Sequence, residues 1–342
     1  MRQRLEEPVA EVLWPSNGQG WLPDVSFVLP AHNEETNLGP LLQRIEQVTT
    51  ALGLRAEVVI VDDGSNDGTW QVAHELQRRH PQMVLVRHRR RSGEAAALAS
   101  GFRVARGRVL VTMDADLQDE PEHLPRLLAK LDEGYDLVTS WRWPRADGWG
   151  KRLPSALYNW LQRRLFSVPV HDAGSGLRAF RPEVAKGLPL YGGLHRYMPA
   201  LTAWRGYSVA EVKVGHRPRA GGRSNYGPRR LASGLLDLLT VHLLTHYLSR
   251  PLHGLVRWGL LAAAFEATVG GAGVAAGLAT GQWGAVVTSV VAACAATMAV
   301  LAGLAAGLAC ELLSFPAQSG DPTTTALEAP PAAPTRAYPT KE

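Results

Sequence analysis

The sequence predicts an α/β domain with a mainly parallel sheet, followed by apolar helices long enough to cross a membrane. From about Asp24, short runs of Val, Leu and Ile alternate with amphipathic stretches. This pattern is typical of parallel sheets that helices cover on both faces. Near the other end, two Gly- and Ala-rich stretches are almost free of charged residues, which is rare in helices of soluble proteins.

Five apolar runs are predicted to be strands, in the order VSFVLP, AEVVIVDDG, MVLVRH, RVLVTMDAD and YDLVTSWR. The amphipathic stretches between them are predicted to be helices, in the order TNLGPLLQRIEQVTTAL, DGTWQVAHELQRRHP, GEAAALASGFRVARG and PEHLPRLLAKLDEG. From about Arg142 to Tyr226 the chain is less regular and rich in Arg, Gly and Pro. Such composition is expected of loops that complete a functional site.

Two segments are predicted to span a membrane as a hairpin. Trp258–Ala279 has 22 residues with one charge, Glu266, and Trp283–Cys310 has 28 residues with none. Each can cross a hydrocarbon core of about 30 Å at about 1.5 Å per residue. The alternative is a pair of buried helices in a soluble protein. The arginines beside the first span place both termini in the cytoplasm by the positive-inside rule.

The stretch RRLASGLLDLLTVHLLTHYLSRP, before the first span, is predicted to be an amphipathic helix at the membrane surface; a cytosolic packing helix is the alternative. The tail after Phe315 is Pro-, Ala- and Thr-rich and is predicted to be disordered. The predicted organisation is therefore an N-terminal extension (1–23), a cytosolic domain (24–228), an interfacial helix (229–250), two transmembrane helices (254–313) and a disordered tail (316–342).

Composition restricts the kind of partner. The formal net charge is +5, and an Arg-rich stretch directly precedes the apolar segments, which favours phosphate groups or a membrane surface over nucleic acid. The two cysteines, Cys294 and Cys310, lie in an apolar stretch and indicate no disulfide framework, zinc site or thiol nucleophile. The N-terminus shows no secretory signal, so the first domain is expected in the cytosol.

Polar clusters follow three of the predicted strands and should meet at one edge of the sheet, where ligands of such sheets bind. In DADLQD, Asp114 and Asp116 offer oxygen ligands suited to Mg²⁺ or Mn²⁺ that also contacts phosphate oxygens. Such a pair alone is weak evidence, and its position directly after a strand strengthens it. In DDGSNDGT, Asp62 and Asp63 could accept hydrogen bonds from a base or ribose, whereas Asp67 is predicted to cap the next helix.

The stretches VSFVLPAHNEETNL, VVIVDDGSNDGT and VLVTMDADLQDEPEHLPRLLAKLDEGYDLVTSWR resemble family 2 glycosyltransferases. With DADLQD and GRSNYG, they resemble the polyprenyl-phosphate glycosyltransferase group, which is dolichol-phosphate mannose synthase-like, from about Asp24 to Leu248. The resemblance implies a nucleotide-sugar-binding, Rossmann-like fold of the GT-A type. The chain departs from the family pattern on the donor side, at His32, Arg91 and Glu94, so the base and the sugar are not implied.

The resemblance also implies roles for individual residues. Base and ribose would be held by Pro30, His32, Glu34 and Asp63, with Asp114 also on the nucleotide. The metal and diphosphate would be held by Asp114, Asp116 and Gln118. Phosphates would be met by Arg142, Lys151 or Arg152, Arg219 and Ser224. The residues implied in catalysis are Asp172, Asp116 and Arg219, with Asp172 either positioning the reactants or anchoring its own loop.

The implied activity is transfer of a sugar from a UDP- or GDP-linked donor to polyprenyl (undecaprenyl) phosphate, with Mg²⁺ or Mn²⁺ and with inversion. A metal and arginines can neutralise the departing diphosphate. The acceptor phosphate has a second pKa of about 6 and needs no strong base. The implied enzyme is a multi-pass protein of the inner (plasma) membrane that contacts the lipid bilayer, with a cytoplasmic catalytic domain and no nucleic-acid partner. Whether it forms a homo-oligomer stays open.

Three alternative functions are compatible with parts of the sequence. The first is transfer to another lipid or glycan acceptor. The second is a processive polysaccharide synthase, which would be expected to carry a Gln-X-X-Arg-Trp motif that this sequence lacks. The third is a non-catalytic, nucleotide-binding membrane module, which the altered stretch RRRRSGEAAAL favours and the intact DADLQD disfavours. Magnesium-dependent binding of UDP or GDP, together with transfer, separates these readings.

Overall fold

The computed structural model describes residues 9–13, 22–143, 160–166, 168–215, 234, 237–242, 245 and 251–281, together with residues 283–284, 286–288, 290–291, 293–295, 297–298, 301–303, 305 and 309. The chain divides into two compact units, one of residues 1–238 and 319–342 and one of residues 239–318. The sheet described below lies in the first unit, and the long apolar helix lies in the second.

The strands are β1 (Val9–Leu13), β2 (Val25–Ala31), β3 (Ala56–Asp62), β4 (Met83–His88), β5 (Val109–Thr112), β6 (Leu137–Arg142), β7 (Arg178–Phe180) and β8 (Val209–Val214). The helices are α1 (Leu38–Ala51), α2 (Thr69–Arg79), α3 (Glu94–Val104), α4 (Leu124–Asp132), α5 (Pro182–Gly187), α6 (Met198–Trp204) and α7 (Pro251–Thr280), with short 3₁₀ turns at Pro121–His123 and Leu194–Tyr197. All five strands and four helices predicted from the sequence are confirmed.

The eight strands form one sheet in the order β1-β4-β3-β2-β5-β7-β6-β8. β2, β3, β4 and β5 pair in parallel, as do β6 and β8. β7 runs antiparallel between β5 and β6. β1, from the segment predicted as an N-terminal extension, pairs antiparallel with β4 at one edge. The prediction of a mainly parallel sheet is confirmed, and the structure adds these antiparallel strands.

Helices cover both faces of the sheet because its central strands are apolar on both sides. On one face, Phe27 and Leu29 of β2 belong to a buried cluster with the leucines of α1 and α4. On the other face, α3 approaches so closely that a Cβ added to Gly101 would lie 2.3 Å from Cγ1 of Val28. A larger residue at position 101 would push α3 off the sheet. This double covering leaves the strand ends as the open part of the domain.

The second unit contains α7. Among the residues that the structure describes, one helical span, Gly259–Thr280, has the length and apolar composition of a membrane crossing, with 22 residues and a mean hydropathy of 1.4. The residues described within Trp283–Cys310 are helical, and a second complete span there stays a prediction. Most of the predicted interfacial helix lies outside the described residues, and those described within it are helical.

Candidate active site

The carboxyl ends of β2, β3 and β5 lie side by side, because β2 pairs in parallel with both of the others. The polar stretches PAHNEE, DDGSNDGT and DADLQD follow these three strands, so they gather at one edge, as predicted. β4 is parallel to β3, and the loop after it reaches the same edge before α3 begins at Glu94. The candidate site is built on this edge.

Two carboxylates of DADLQD meet in front of a glycine. A Cβ added to Gly176 would lie 2.7 Å from the Oδ2 atoms of both Asp114 and Asp119. Only a residue without a side chain leaves these carboxylates room. Asp119 is buried, and its Oδ2 has no hydrogen-bond partner among the described residues. We call Asp114, Asp119 and Gly176 the carboxylate cradle.

The carboxylate cradle favours protonated carboxyl groups when no cation balances it. Burial, followed by the negative charges of Glu94 and Asp116, raises the pKa of Asp114 to about 7. Burial and the charge of Asp114 raise the pKa of Asp119 to about 7 as well. An apolar, crowded setting disfavours two carboxylates unless positive charge approaches them. Positive charge close to the cradle would therefore stabilise its ionised form.

Asp116 and Gln118 form a turn beside the cradle. The backbone N–H of Gln118 donates to Asp116 Oδ1 at 3.2 Å, and its side-chain amide donates to Asp116 Oδ2. Leu117, between them, has a φ of 63°, which is uncommon for a residue with a side chain. The turn thus holds the Asp116 carboxylate next to Gln118, so two of the three predicted metal-site residues are in contact.

Two arginines, the partly buried Arg142 and the buried Arg178, balance the carboxylates. Arg142 donates from Nε and Nη2 to the two carboxylate oxygens of Asp172, at 2.6 Å and 2.9 Å. Burial opposes the charge of Arg142, but Asp172, Asp119 and Asp114 outweigh it and raise its pKa. Arg178, on β7, is buried and donates to the carbonyl oxygen of Ala173 at 2.8 Å. Burial lowers the pKa of Arg178, and surrounding carboxylates, first Glu94, oppose that shift.

The loop that carries Asp172 is fixed by Glu211 of β8. The carboxylate of Glu211 accepts hydrogen bonds from the backbone N–H groups of His171 and Asp172, at 2.8 Å and 3.0 Å. Farther along the same loop, the Ser175 hydroxyl hydrogen-bonds Ser140 of β6. These contacts hold the loop's backbone, so the position of Asp172 does not depend on its ion pair with Arg142 alone.

The residues predicted to hold base and ribose lie at the ends of β2 and β3. Pro30 is within β2, and His32 Nδ1 lies 3.0 Å from the carbonyl oxygen of Asp63. The backbone N–H of Glu34 donates to the Thr69 hydroxyl at 2.8 Å. The structure therefore brings His32 and Asp63 into contact, with Pro30 on the same strand end and Glu34 in the loop that follows it.

Asp63 also has a structural role that the sequence did not indicate. Its Oδ1 accepts the backbone N–H of Ser92 at 2.7 Å and lies 2.8 Å from His88 Nδ1, while its Oδ2 accepts the backbone N–H of Gly93 at 2.8 Å. Burial opposes the ionised form, but these hydrogen bonds outweigh it and lower the pKa of Asp63. Asp63 thereby fixes the start of α3.

Some predicted residues cannot be placed. Lys151, Arg152, Arg219 and Ser224 lie outside the described residues. The structure adds residues to which the sequence assigned no role, namely Asp119, Gly176, Arg178 and Glu94. Asp119 stands within DADLQD, and Gly176 and Arg178 stand within DAGSGLRAFRP, so motif membership was the available signal. Within the described part of the chain, no three His, Cys, Asp or Glu side chains form a complete metal-binding group.

Comparison with known proteins identifies the family. The sequence pattern of Glycosyl transferase family 2 matches residues 26–188. Dodecaprenyl-phosphate galacturonate synthase of Rhizobium johnstonii is 36% identical over 235 residues, which cover 67% of this chain and 70% of that protein. Undecaprenyl-phosphate 4-deoxy-4-formamido-L-arabinose transferase of Pseudomonas aeruginosa is 37% identical over 217 residues, 63% of this chain and 64% of that protein.

A solved structure shares the fold. Glucosyl-3-phosphoglycerate synthase from Mycobacterium tuberculosis, crystallised with Mn²⁺, uridine diphosphate and phosphoglyceric acid, superposes with a TM-score of 0.51. It is 23% identical, and the match covers 65% of this chain and 78% of that chain. The sequence relatives carry the family assignment. The chain therefore belongs to glycosyl transferase family 2, in the group of polyprenyl-phosphate glycosyltransferases.

Proposed function

We propose that this protein transfers a sugar from a nucleotide-sugar donor to a polyprenyl phosphate, with a divalent cation and inversion at the anomeric carbon. The carboxylate cradle carries this proposal, because its two carboxylates would hold a cation at the strand edge, where the charges of Arg142 and Arg178 act on Asp114. The two relatives support the acceptor class, since their names specify dodecaprenyl phosphate and undecaprenyl phosphate.

The residues present fit Mg²⁺ or Mn²⁺. The donors are carboxylate oxygens, which these hard cations prefer, and Asp119 Oδ2 is buried without a hydrogen-bond partner in the described part of the chain. In the part of the chain that the structure describes, Asp114, Asp116 and Asp119 form no complete metal-binding group by themselves, so we assign them to holding the cation only together with substrate phosphates, with Gln118 orienting Asp116. One or two protein carboxylates suffice as ligands when phosphates of the substrate complete the coordination of the cation. When bound, the cation would neutralise charge that develops on the departing diphosphate.

In the reaction, an oxygen of the acceptor phosphate forms a bond to the anomeric carbon of the donor sugar. The bond from that carbon to the diphosphate oxygen breaks, and the nucleoside diphosphate leaves with the electron pair. The two guanidinium groups of Arg142 and Arg178 supply fixed positive charge close to the cradle. Preorganised charge of this kind stabilises a developing anion without reorganisation. Displacement from the opposite face inverts the anomeric carbon.

Asp172 is proposed to position Arg142 and not to act as a base. Its two carboxylate oxygens accept both hydrogen bonds from Arg142, and Glu211 holds its backbone. The acceptor phosphate is already ionised at neutral pH, since its second pKa is about 6. No proton has to be removed before it attacks. An aligned Arg142 can instead meet phosphate oxygens of either substrate.

We further propose that α7 and the segment after it form a membrane hairpin, with the catalytic unit on the cytoplasmic side of the inner membrane. Within the second unit, Gly273 and Gly277 face side chains of the following segment. A Cβ added to Gly277 would lie 3.1 Å from the Trp283 ring, and one added to Gly273 would lie 3.2 Å from Val286. Small residues allow such close helix packing in membranes.

The experiment that tests this function uses the purified full-length chain in lipid vesicles. It is incubated with undecaprenyl phosphate, Mg²⁺ or Mn²⁺ and a panel of UDP- and GDP-sugars, and lipid products are identified by mass. A sugar-phosphate-polyprenol that forms only with a divalent cation supports the proposal. Asp116→Ala should abolish the product while leaving the fold intact, because Asp116 is a partly exposed residue of a turn. Near-normal turnover of this variant would reject the assigned cation site.

A further inference from the structure

His88 is a buried histidine to which neither the sequence motifs nor the proposed reaction assigns a role. It is the last residue of β4, and its side chain is 0% exposed. Asp62 of β3 lies opposite Arg87 of β4 in the parallel register, so the next residues along the two strands, Asp63 and His88, are neighbours. Nδ1 of His88 lies 2.8 Å from Oδ1 of Asp63. His88 therefore contacts a residue that is assigned to the nucleotide.

The second ring nitrogen of His88 is held by α3. Its Nε2 lies 2.9 Å from Oγ of Ser100, which is buried where α3 packs on the sheet. The packing is close there, because the neighbouring Gly101 leaves no room for a side chain against Val28. Nη2 of Arg103 donates to the same Ser100 oxygen at 3.3 Å. Both ring nitrogens of His88 therefore have a fixed partner.

These partners determine which nitrogen of His88 carries a proton. Burial opposes the ionised form of Asp63, but its hydrogen bonds, first that of His88, outweigh burial and lower its pKa. An ionised carboxylate only accepts hydrogen bonds, so Nδ1 of His88 donates to it. Arg103 only donates, so the Ser100 hydroxyl accepts from Arg103 and gives its own proton to Nε2 of His88. We therefore assign the neutral imidazole with its proton on Nδ1.

The order Asp63, His88 and Ser100 is that of a hydrolase triad, but this protein cannot use it for hydrolysis. A nucleophile has to be accessible to the atom that it attacks. Ser100 is 2% exposed and packs against the sheet, so its hydroxyl is closed to a substrate. The series of hydrogen bonds therefore acts on the Asp63 carboxylate and not on a bond of the substrate.

The contacts of Asp63 leave its carboxylate one acceptor position. An ionised carboxylate accepts about four hydrogen bonds, two at each oxygen. Oδ1 has two partners, the N–H of Ser92 and Nδ1 of His88, whereas Oδ2 has one, the N–H of Gly93. Within the described part of the chain, one lone pair of Oδ2 is left. It suits an N–H or O–H donor of a base or a ribose.

We propose that His88 is a positioning residue of the donor site, which orients the Asp63 carboxylate so that Oδ2 accepts one hydrogen bond from the base or ribose of the nucleotide. This inference rests on the proposed function, because it requires a nucleotide-sugar donor at the ends of β2 and β3. Ser92 and Gly93 hold the carboxylate from a loop, whereas His88 holds it from a strand. Loss of the His88 bond leaves a buried lone pair of Oδ1 without a donor, which is costly.

Two amide variants separate this role from packing. The side-chain N–H of asparagine can replace Nδ1–H and donate to Asp63, whereas the longer glutamine places its amide where Nε2 was, next to Ser100. The full-length protein with Mn²⁺ is titrated with UDP and with GDP. His88→Asn should bind the nucleotide within about threefold of the wild-type affinity. His88→Gln should bind it at least about tenfold more weakly than the wild type, a difference of about 1.4 kcal/mol.

Thermal unfolding of both variants measures the packing cost separately. Both lose the imidazole ring, so both should lower Tm by a similar amount. His74→Gln makes the same exchange on α2 and should bind nucleotide normally. An equal loss of affinity in His88→Asn and His88→Gln would overturn the inference, because the role would then be packing. Wild-type affinity in His88→Gln would also overturn it, as would failure of His88→Gln alone to fold.

Failure of the proposed function looks different. If only His88→Gln loses nucleotide affinity while the wild-type protein forms no polyprenyl-linked product, the inference stands and the acceptor assignment is rejected. If lipid-linked product forms but the two variants bind nucleotide equally, the inference is rejected and the function stands. Absence of UDP and GDP binding by the wild-type protein, with Mn²⁺ or Mg²⁺, counts against both proposals.

Discussion

Arg142 and Asp172 form a two-pronged ion pair, with donor-to-acceptor distances of 2.6 Å and 2.9 Å. Asp172 is buried and Arg142 is partly buried, and the backbone of Asp172 is held independently by Glu211. Arg142 comes from the end of β6, whereas Asp172 comes from the loop before β7. A phosphate that binds the guanidinium group of Arg142 must either share its N–H donors with Asp172 or displace the Asp172 carboxylate.

We expect Arg142→Lys to reduce turnover by at least about tenfold, the equivalent of about 1.4 kcal/mol in the barrier. Lysine keeps the charge but cannot make two parallel hydrogen bonds to a carboxylate or phosphate. The measurement is kcat for transfer to undecaprenyl phosphate at saturating donor. Arg44→Lys is the matched control, because Arg44 makes a similar two-pronged pair with Glu122 on the surface, at 3.0 Å and 2.6 Å. Wild-type turnover in Arg142→Lys would show that charge alone suffices.

Gly176→Ala should weaken divalent-cation-dependent nucleotide binding by at least about tenfold. The added methyl group would stand 2.7 Å from the carboxylates of Asp114 and Asp119, so both must move. Titration of UDP or GDP in the presence and absence of Mn²⁺ measures the effect. Gly39→Ala on α1, where a Cβ meets nothing within 4 Å, should bind normally. Unchanged cation-dependent nucleotide binding in Gly176→Ala would show that the carboxylate cradle is not part of the cation site.

Asp119→Asn should make the cation-free protein more stable at neutral pH while abolishing cation-dependent binding. The pKa of Asp119 is raised to about 7 in the folded protein, against about 3.9 when unfolded. Between these values the folded state holds a proton that the unfolded state has lost, so the free energy of unfolding falls as pH rises. Asparagine does not ionise and avoids this loss, which is up to about 4 kcal/mol for a pKa difference of about 3.

Thermal unfolding with a chelator at about pH 4.5 and about pH 7.5 tests this expectation, because the two pH values lie near the ends of the window. The advantage of Asp119→Asn should be present at the higher pH and small at the lower. Added Mn²⁺ and nucleotide should then stabilise the wild-type protein and not the variant. A variant that is less stable than the wild type at both pH values would contradict the free-energy cost that we assign to ionising the buried Asp119.

A chain that ends at Leu248 should bind nucleotide but lose transfer to long-chain lipid. The sheet and the cradle lie in the first compact unit, whereas α7 lies in the second. The lost segments are proposed to serve the isoprenoid chain and not the chemistry. Activity is compared on undecaprenyl phosphate in vesicles and on a short, water-soluble prenyl phosphate. Full activity of the shortened chain in vesicles would reject the role given to α7.

The sequence predicted the central strands because continuous runs of Val, Leu and Ile leave few other structures for them. β7 was not predicted, because three residues, Arg178–Phe180, are too short to show a period. β1 was assigned to an extension, since its pairing with β4 is a contact between distant parts of the chain. The local sequence pattern does not encode such long-range pairing. Strands at the edge of a sheet also show the sequence pattern of a strand least clearly.

The sequence predicted those residues of the candidate site that belong to a short motif. It missed the residues that come together only through the packing of the fold. Asp114 and Asp116 stand out after a strand. The cradle, in contrast, depends on Gly176 meeting Asp114 and Asp119 across the sheet. Likewise, Asp63 was assigned to the nucleotide, and its hydrogen bonds to Ser92 and Gly93 became visible only with the fold. Asp67 accepts hydrogen bonds from the backbone N–H and the hydroxyl of Thr69, but the N-cap of α2 is Gly68, so Asp67 stands one residue before the predicted capping position.

β1 also bears on how the catalytic unit behaves in solution. It covers the outer edge of β4, from Leu13 opposite Leu85 to Val9 opposite His88. Without it, β4 would present an unpaired row of backbone N–H and C=O groups beside apolar side chains, which recruits strands from other molecules. Protein expressed from a start point after Leu13 should therefore tend to aggregate, even though its nucleotide motifs are complete. The strand β1 thus protects the edge of the sheet from pairing with other molecules.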